Sequence, residues 1–176
     1  MKIHRSGKLS LEGSAIAIGA FDGIHKGHKK VIKRTVEQAK MLGVPSVIYT
    51  FDPPPRAYLQ KARILSGFGE KMDRLSKLGV NHTVIATFNA AYLNRTPASF
   101  IEELALMKPL HIIVGEDFRF GHKRAGDIRL LKEHFQVETI SPVCCASGER
   151  ISSTRIRELI SKGKIEQAIP LLAQHS

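Results

Sequence analysis

The feature that most constrains the fold is a regular alternation of short strand-like runs with helical patterns. The runs fall at Ala15–Ala20, Ser46–Phe51, His82–Thr87, His111–Val114 and Val137–Ile140. Between them, apolar residues recur at steps of three and four, which is the spacing of the buried face of a helix. Strands separated by helices favour right-handed βαβ crossovers and a mostly parallel sheet. The sequence therefore predicts one α/β domain over residues 1–176, with a doubly wound, five-stranded sheet.

Glycines and capping residues mark the ends of the predicted helices. The first helix begins near His25, and Gly43 closes it in the left-handed conformation that glycine favours. A second helix ends at Gly79, and Thr96-Pro97 supplies the N-cap and the first position of a third. The apolar stripe of the first helix is Val31, Ile32, Thr35, Val36, Ala39 and Leu42.

Composition and charge exclude several classes of protein. The chain is 43% hydrophobic, yet it has no apolar run long enough to span a membrane, and no membrane partner is expected. The cysteines, Cys144 and Cys145, are adjacent and have no other thiol to pair with, so a reducing cytoplasm fits best. A net charge of +11 fits polyphosphate ligands, nucleic acid, an anionic membrane surface or a solvated surface. Because only 6% of residues are aromatic, stacking platforms are scarce and no nucleic-acid partner is expected.

The first candidate site is the stretch GAFDGIHKGH, which follows the first predicted strand. In a parallel sheet this end of the strand faces the ligand, and the N-terminus of the next helix favours an anion. Gly23 and Gly27 allow a tight turn and a close approach of the backbone. His25 and His28 lie three apart, so they share one face of the first helical turn and can donate to phosphoryl oxygens.

The residues around the two histidines fit metal and dinucleotide sites less well. HxxH without a nearby Cys or carboxylate is a weak zinc signature. The glycine spacing matches neither a P-loop nor a dinucleotide-binding fingerprint. The plainest alternative is that both histidines only cap and solvate the helix start, but the strand–turn–helix context favours a ligand.

The second candidate site is ISSTRIRELI, from Ile151 to Ile160. A serine at its start can cap a helix that runs from about Thr154 to Ser161, leaving backbone N–H groups open to an anion. Arg155 and Arg157 add planar, permanently charged groups that suit phosphate. Taken alone, the stretch is more typical of a capped amphipathic helix with surface arginines, and its pairing with the HxGH stretch favours the anion site.

The two stretches together resemble the nucleotidyltransferase superfamily, whose HxGH box holds the phosphates of ATP and whose second box resembles ISSTRIR. Three further stretches resemble bacterial FAD synthetases, specifically the FMN adenylyltransferase module of bifunctional riboflavin kinase/FAD synthetases. They are YTFDPPPRAYL, GEKMDRLSKLGV and VGEDFRFGHKRAGD, at residues 49–59, 69–80 and 114–127. The resemblance implies a Rossmann-like nucleotidyltransferase fold over nearly the whole chain.

The resemblance also implies a reaction and a set of site residues. FMN and ATP would give FAD and pyrophosphate by in-line attack, without a covalent intermediate, and with Mg²⁺ accompanying ATP. The implied catalytic residues are His25, His28, Arg155 and Arg157. The implied ATP-binding residues are Gly19, Phe21, Asp22, Gly27, Ser152, Ser153 and Thr154. The implied flavin-binding residues are Phe51, Asp52, Pro53, Pro55, Asp117 and Phe118, although core packing is expected for at least one of Phe51, Phe118 and Phe120.

Two departures from the family pattern bear on function. Pro54 stands where the family usually has histidine in its P-H-P stretch, so flavin affinity or turnover could differ. The sequence stops at AIPLLAQHS, where bifunctional members continue into the kinase module. The chain is therefore either a standalone adenylyltransferase or a truncated piece, with the riboflavin kinase domain absent from residues 1–176 and no kinase activity expected. Two alternatives stay open: another small-molecule nucleotidyltransferase, or a non-catalytic flavin- or RNA-binding regulator. No magnesium ligand and no oligomeric state is predicted.

Overall fold

A six-stranded parallel sheet forms the middle layer of the computed structural model, which describes residues 1–172. The strands of the chain are β1 (Lys2–Arg5), β2 (Ser14–Ile18), β3 (Ser46–Asp52), β4 (His82–Thr87), β5 (Pro109–Gly115), β6 (Arg119–Phe120), β7 (Gly126–Asp127) and β8 (Val137–Ile140). The main sheet has the order β1-β4-β3-β2-β5-β8, and every neighbouring pair in it is parallel. Strands β6 and β7 form a separate antiparallel pair.

Helices cover both faces of this sheet. They are α1 (Lys26–Leu42), α2 (Pro55–Gln60), α3 (Phe68–Lys77), α4 (Ala90–Leu93), α5 (Pro97–Ala105), α6 (Ile128–His134), α7 (Ser153–Ser161) and α8 (Ile165–Ala168). All five residues of β2 are buried, as expected of a central parallel strand with apolar layers on both sides. Within residues 1–172, none of the helices has the length and apolar character needed to cross a membrane.

The predicted fold class is confirmed, and the number of strands needs one correction. All five predicted strands are present, and β4 and β8 have the predicted bounds. The sixth strand, β1, was not predicted because it lies at the sheet edge with most of its side chains exposed. Such a strand lacks the apolar run by which buried strands are recognised. It pairs with β4, where His4 Nε2 lies 3.0 Å from His82 Nδ1.

Helix α1 shows how the local sequence produces its element. His25 is its N-cap, and Gly43 ends it with a φ of +67°. Of the predicted apolar stripe, the members Val31, Ile32, Thr35, Val36 and Ala39 are buried, whereas Leu42 is exposed in the last turn. The predicted cap of α5 is confirmed as well, since Thr96 Oγ1 accepts a hydrogen bond from Ser99 N. The capping residues and the spacing of apolar residues therefore account for where these helices begin and end and for which face is buried.

The connections place the site at the centre of the sheet. From β2 the chain passes to β3 and β4 on one side, and later to β5 and β8 on the other. This reversal opens a crevice beyond the carboxyl ends of β2 and β5, where ligands bind in sheets of this kind. Helix α1 follows β2 directly, so its N-terminus points into that crevice.

Candidate active site

A cavity of about 490 Å³ lies at the carboxyl ends of β2, β5 and β8. The strand ends supply Gly19, Gly115 and Ile140 to its wall, and the N-termini of α1 and α7 complete it. The predicted site residues that line it are Gly19, Phe21, His25, Gly27, His28, Asp117, Phe118, Ser152, Ser153 and Thr154. The two predicted motifs are therefore brought together although more than a hundred residues separate them.

The turn before α1 is shaped by residues with positive φ. Gly23 has a φ of +78°, and a Cβ there would lie 2.9 Å from Leu65 Cβ, so both backbone and space require glycine. At the end of this turn His25 takes the N-cap position, where its Nδ1 accepts a hydrogen bond from His28 N at 3.2 Å. His25 therefore both caps α1 and forms part of the cavity wall.

The two histidine rings form a stack in the cavity wall. Their centroids are 3.6 Å apart and their planes 16° from parallel. A Cβ on Gly27 would lie 3.1 Å from His25 Nδ1, so a larger residue there would press on the stack. The Nδ1 atom of His28 is buried and has no hydrogen-bond partner among residues 1–172.

Both histidines are neutral at pH 7. Burial, followed by the positive charge of Arg150, lowers the pKa of His25 to about 4. Burial also holds the pKa of His28 well below its usual range, and the neighbouring titratable ring of His25 and the positive charges of Lys71 and Arg157 add to this effect. A neutral imidazole carries one N–H donor and one acceptor. Each ring can therefore offer a ligand one hydrogen bond without bringing a charge of its own.

The start of α7 is fastened to the turn before α1. Ser152 Oγ caps the helix by accepting from Arg155 N at 3.2 Å. Ser153 Oγ donates to the carbonyl of Asp22 at 3.0 Å, which joins the second motif to the first. The predicted start and cap of this helix are confirmed. The free N–H groups of its first turn add to the positive potential of the cavity.

Asp22 and Arg157 form a buried ion pair behind the cavity wall. Asp22 is 2% exposed, and its Oδ1 accepts from the backbone N–H groups of Leu65 and Ser66 at 2.9 and 3.2 Å. Its Oδ2 accepts from Arg157 Nη2, while Arg157 Nε donates to the carbonyl of Arg63 at 2.8 Å. Neither member of the pair is among the described residues that line the cavity. Their predicted contact with ATP stays a prediction.

Arg155 lies on another side of α7. Its guanidinium contacts Cys145 Sγ at 3.1 Å and also pairs with the Glu149 carboxylate. It lines a second, more open hollow of about 570 Å³, and among the described residues the first cavity does not include it. Since the two arginines of the motif have different partners, they are expected to act differently.

Two arginines that sequence reasoning did not single out line the cavity instead. Arg56, near the start of α2, donates to Thr154 Oγ1. Arg150 Nη2 lies 2.8 Å from Asp117 Oδ2. Arg56 belongs to the PPPR stretch and could have been found there, whereas no spacing marks Arg150. The cavity thus combines two exposed arginines, two helix N-termini and two neutral imidazoles, a set suited to a polyphosphate.

Comparison with known protein families agrees with this chemistry. The family model for FAD synthetase matches residues 8–155, which is most of the chain. The chain belongs to the FAD synthetase family. The matched range includes the HxGH turn, the proline stretch and the start of α7.

Three relatives show how the family membership extends along the chain. A Geobacillus thermodenitrificans (strain NG80-2) protein, provisionally named a bifunctional riboflavin kinase/FMN adenylyltransferase, is 52% identical over 98% of this chain and 97% of its own length. Proteins named bifunctional riboflavin kinase/FMN adenylyltransferase from Listeria monocytogenes and Escherichia coli K12 are 32% and 31% identical, over 89% and 97% of this chain. The chain spans only 52% and 57% of those two relatives.

Two solved structures of other proteins have a fold similar to that of this member of the FAD synthetase family. One, described as a macrolide-efflux protein from Streptococcus pneumoniae, has a TM-score of 0.84 and 28% identity, covering 97% of this chain and 60% of that one. The other is a pantothenate synthetase from Thermus thermophilus, with a TM-score of 0.55 and 14% identity over 93% of this chain and 77% of that one. At that identity the second likeness concerns the fold alone.

The residues predicted for the flavin divide into two groups. Asp117 and Phe118 line the cavity, whereas Phe51, Asp52, Pro53 and Pro55 are not among its described lining residues. Phe51 and Phe120 are buried in the apolar core, so the expectation of core packing for at least one of the three phenylalanines is confirmed. Contact with the flavin stays a prediction for both groups, those that line the cavity and those that do not.

Pro54, the departure from the family pattern, is buried in the loop that begins α2. Its carbonyl accepts hydrogen bonds from Ala57 N at 2.9 Å and Tyr58 N at 3.2 Å. Proline fixes its own φ, so it suits the position before a helix. The residue is therefore built into the start of the helix that carries Arg56, and it takes no part in the described cavity lining.

The thiol of Cys145 is expected to react faster than that of Cys144. A hydrogen bond with Ser147, followed by one from Arg155, lowers the pKa of Cys145 to about 6. Its thiolate therefore predominates at pH 7, and its alkylation rate should fall as the pH drops through about 6. Iodoacetamide labelling of Cys144→Ser and Cys145→Ser, each with one remaining thiol, measures the two rates. Equal rates, both rising near the ordinary thiol pKa of about 8.5, would contradict the assignment.

Proposed function

We propose that this chain transfers the adenylyl group of ATP to FMN, producing FAD and pyrophosphate, and that residues 1–176 hold this module. Family membership supports the reaction class, and the names of the relatives supply FMN as the acceptor. The observation that carries the proposal is the cavity in which the HxGH histidines meet the N-terminus of α7. This cavity is proposed to hold the triphosphate and to leave its α-phosphorus open to the second substrate.

The proposed reaction requires positioning and charge neutralisation more than acid–base chemistry. An ionised oxygen of the FMN phosphate attacks the α-phosphorus of ATP in line. The new oxygen–phosphorus bond forms as the bond from the α-phosphorus to the bridging oxygen breaks, and pyrophosphate leaves. The attacking oxygen is already ionised at neutral pH, so no base is needed and no side-chain nucleophile is proposed. Alignment of the two substrates accounts for much of the rate of such a step.

Each part of the cavity wall has a proposed role. The neutral rings of His25 and His28 donate hydrogen bonds to oxygens of the reacting phosphates as negative charge grows there. The side chains of Arg56 and Arg150 lie at the cavity surface, and they are proposed to bind the outgoing pyrophosphate. Phe118, half-buried in the part of the wall that follows β5, offers an aromatic face to the isoalloxazine ring.

The remaining predicted residues are proposed to shape the two subsites. On the ATP side they are Gly19, Phe21, Asp22, Gly27, Ser152, Ser153, Thr154, Arg155 and Arg157. On the flavin side they are Phe51, Asp52, Pro53, Pro55 and Asp117. Asp22 and Arg157 would act on ATP by holding the two motifs together, because their charged groups face one another. Phe51 would act on the flavin indirectly, as a core residue near the end of β3.

Magnesium is proposed to enter with ATP as part of the substrate. Within residues 1–172 no group of three or more His, Cys, Asp or Glu side chains is placed to hold a metal ion. The carboxylates that line the cavity are Glu116 and Asp117, of which Asp117 is paired with Arg150. This set fits an ion that keeps several waters and binds mainly to phosphate oxygens, as Mg²⁺ does in nucleotide sites.

Chromatography of the reaction products tests the proposal. Purified protein is incubated with ATP, Mg²⁺ and either FMN or riboflavin, with protein-free mixtures as controls. We expect FAD from FMN and none from riboflavin, because the cavity offers an adenylyl donor site and the acceptor must already carry a phosphate. Absence of FAD in the FMN reaction, with protein that circular dichroism shows to be folded, would refute the proposed acceptor. Another nucleotidyl acceptor or a non-catalytic flavin binder would then take its place.

A further inference from the structure

A buried lysine lies beneath the cavity wall and has no part in the chemistry described so far. Lys71, in α3, is 2% exposed. Its Nζ donates to the carbonyl of Phe51 at 2.9 Å and lies 3.5 Å from both the carbonyl of Ala20 and Thr50 Oγ1. Lysine is among the residues least often fully buried, and most buried examples are paired with an acid.

Lys71 differs from those examples because it makes no ion pair within the described part of the chain. Asp22 and Asp52 are the acids whose charges act on it, yet Asp22 is engaged by Arg157 and by two backbone N–H groups. Burial lowers the pKa of Lys71, and the two carboxylates oppose that effect. Its ammonium group is therefore solvated by carbonyl and hydroxyl oxygens of the site itself, an arrangement that is costly without a compensating use.

The oxygens that Lys71 contacts belong to two segments that lead into the site. Ala20 begins the turn that leads to His25 and α1. Phe51 lies near the end of β3, just before the loop that leads to Arg56. Thr50 Oγ1 also donates to the carbonyl of Ala20 at 3.0 Å, so Lys71, Thr50 and Ala20 form one hydrogen-bonded unit. A change in this unit would alter the spacing between the histidines and Arg56.

Lys71 also acts on His28 through its charge. His28 is surrounded by positive or titratable groups from three parts of the fold, which are His25 at the start of α1, Lys71 of α3 and Arg157 of α7. All three favour the neutral ring. Lys71 thus places a buried positive charge behind a wall that is proposed to face a triphosphate, where it would help to stabilise developing anions.

We propose that Lys71 is a positioning residue for adenylyl transfer: its buried ammonium holds the ends of β2 and β3 in register and places a positive charge behind His28. This inference rests on the proposed function for its kinetic consequence. Its electrostatic consequence for His28 is independent of any substrate. The two consequences can therefore be measured separately.

The test compares Lys71→Met with Lys77→Met, a control in the same helix. Methionine has a similar length and no charge, so the packing is retained and the ammonium is lost. Lys77 is 75% exposed and pairs with Asp73, away from the described cavity lining. Steady-state kinetics of FAD formation and NMR titration of the histidine rings are measured for both, with His28 assigned by comparison with His28→Ala. Lys71→Gln, which keeps an amide donor without charge, replaces Lys71→Met if the latter does not fold.

We expect Lys71→Met to lower kcat by about 10- to 100-fold, as small displacements of reacting groups do, with little change in the KM for FMN. We also expect the pKa of His28 to rise, because a positive neighbour has been removed, and Lys77→Met to behave like wild type. A folded variant with wild-type kcat, or with an unchanged pKa of His28, would overturn the proposal. If wild-type protein makes no FAD, the proposed function fails, and the titration of His28 alone decides whether Lys71 acts on it.

Discussion

Replacing His28 with alanine is expected to lower the rate of FAD formation by about 10²-fold or more. The neutral ring lies in the cavity wall, and its Nδ1 has no partner among the described residues. A donor aimed at oxygens that gain charge in the transition state contributes on this scale when it is removed. The measurement is kcat with saturating ATP and FMN, together with circular dichroism to show that α1 is intact.

Two further variants separate loss of the donor from loss of the ring. His28→Asn keeps an N–H donor on a shorter side chain and is expected to retain more activity than His28→Ala. His134→Ala removes an exposed histidine at the end of α6 and is expected to have wild-type activity. Near-normal turnover of His28→Ala would contradict the role assigned to this residue. A loss of the same size in His134→Ala would show that the effect does not arise in the cavity.

Replacing Arg157 with alanine is expected to destabilise the protein and weaken its use of ATP. The substitution leaves the Asp22 carboxylate, which is 2% exposed, without its charged partner. Removal of one member of a buried ion pair typically costs about 3–5 kcal/mol, and we expect the lower end because two backbone N–H groups still reach Asp22. Urea unfolding measures the change, and titrations with ATP and with FMN measure binding below the unfolding transition.

The matched control for this variant is Arg155→Ala, in the same turn of α7. Its partner Glu149 is exposed, so water can solvate the carboxylate that remains, and the stability should stay close to that of wild type. We expect Arg157→Ala to weaken ATP binding while FMN binding is largely retained. An equal loss of FMN binding would contradict the placement of Arg157 on the ATP side. Unchanged stability would contradict the buried pair.

The sequence predicts those parts of the fold whose structure depends on residues close together in the chain. The cap at Thr96 and the glycine at the end of α1 act on neighbouring residues, and both were placed correctly. The edge strand β1 was missed because its side chains are mostly exposed and carry no apolar pattern. Its presence depends on backbone pairing with β4, which is distant in sequence.

The sequence predicts the motifs of the candidate site, but it does not predict which distant residues their side chains contact. The HxGH turn and the start of α7 are local structures, so their glycines, histidines and caps could be recognised. The direction of each arginine depends on distant partners: Arg157 meets Asp22, which is 135 residues away, whereas Arg155 meets Cys145. The buried position of Lys71 likewise depends on how α3 packs against the sheet. Lys71 lies four residues before the buried Leu75 and within the GEKMDRLSKLGV stretch, but nothing in the sequence shows which oxygens its ammonium contacts.

The most direct test of the central claim follows the label of ATP into the flavin product. Wild-type protein is incubated with FMN, Mg²⁺ and ATP labelled with ³²P at either the α- or the γ-phosphorus, and the flavins are separated by chromatography. We expect label from the α-position in FAD, in proportion to the FAD formed, and label from the γ-position only in pyrophosphate. Flavin that carries γ-label, or no labelled flavin from α-labelled ATP, would contradict adenylyl transfer at this cavity.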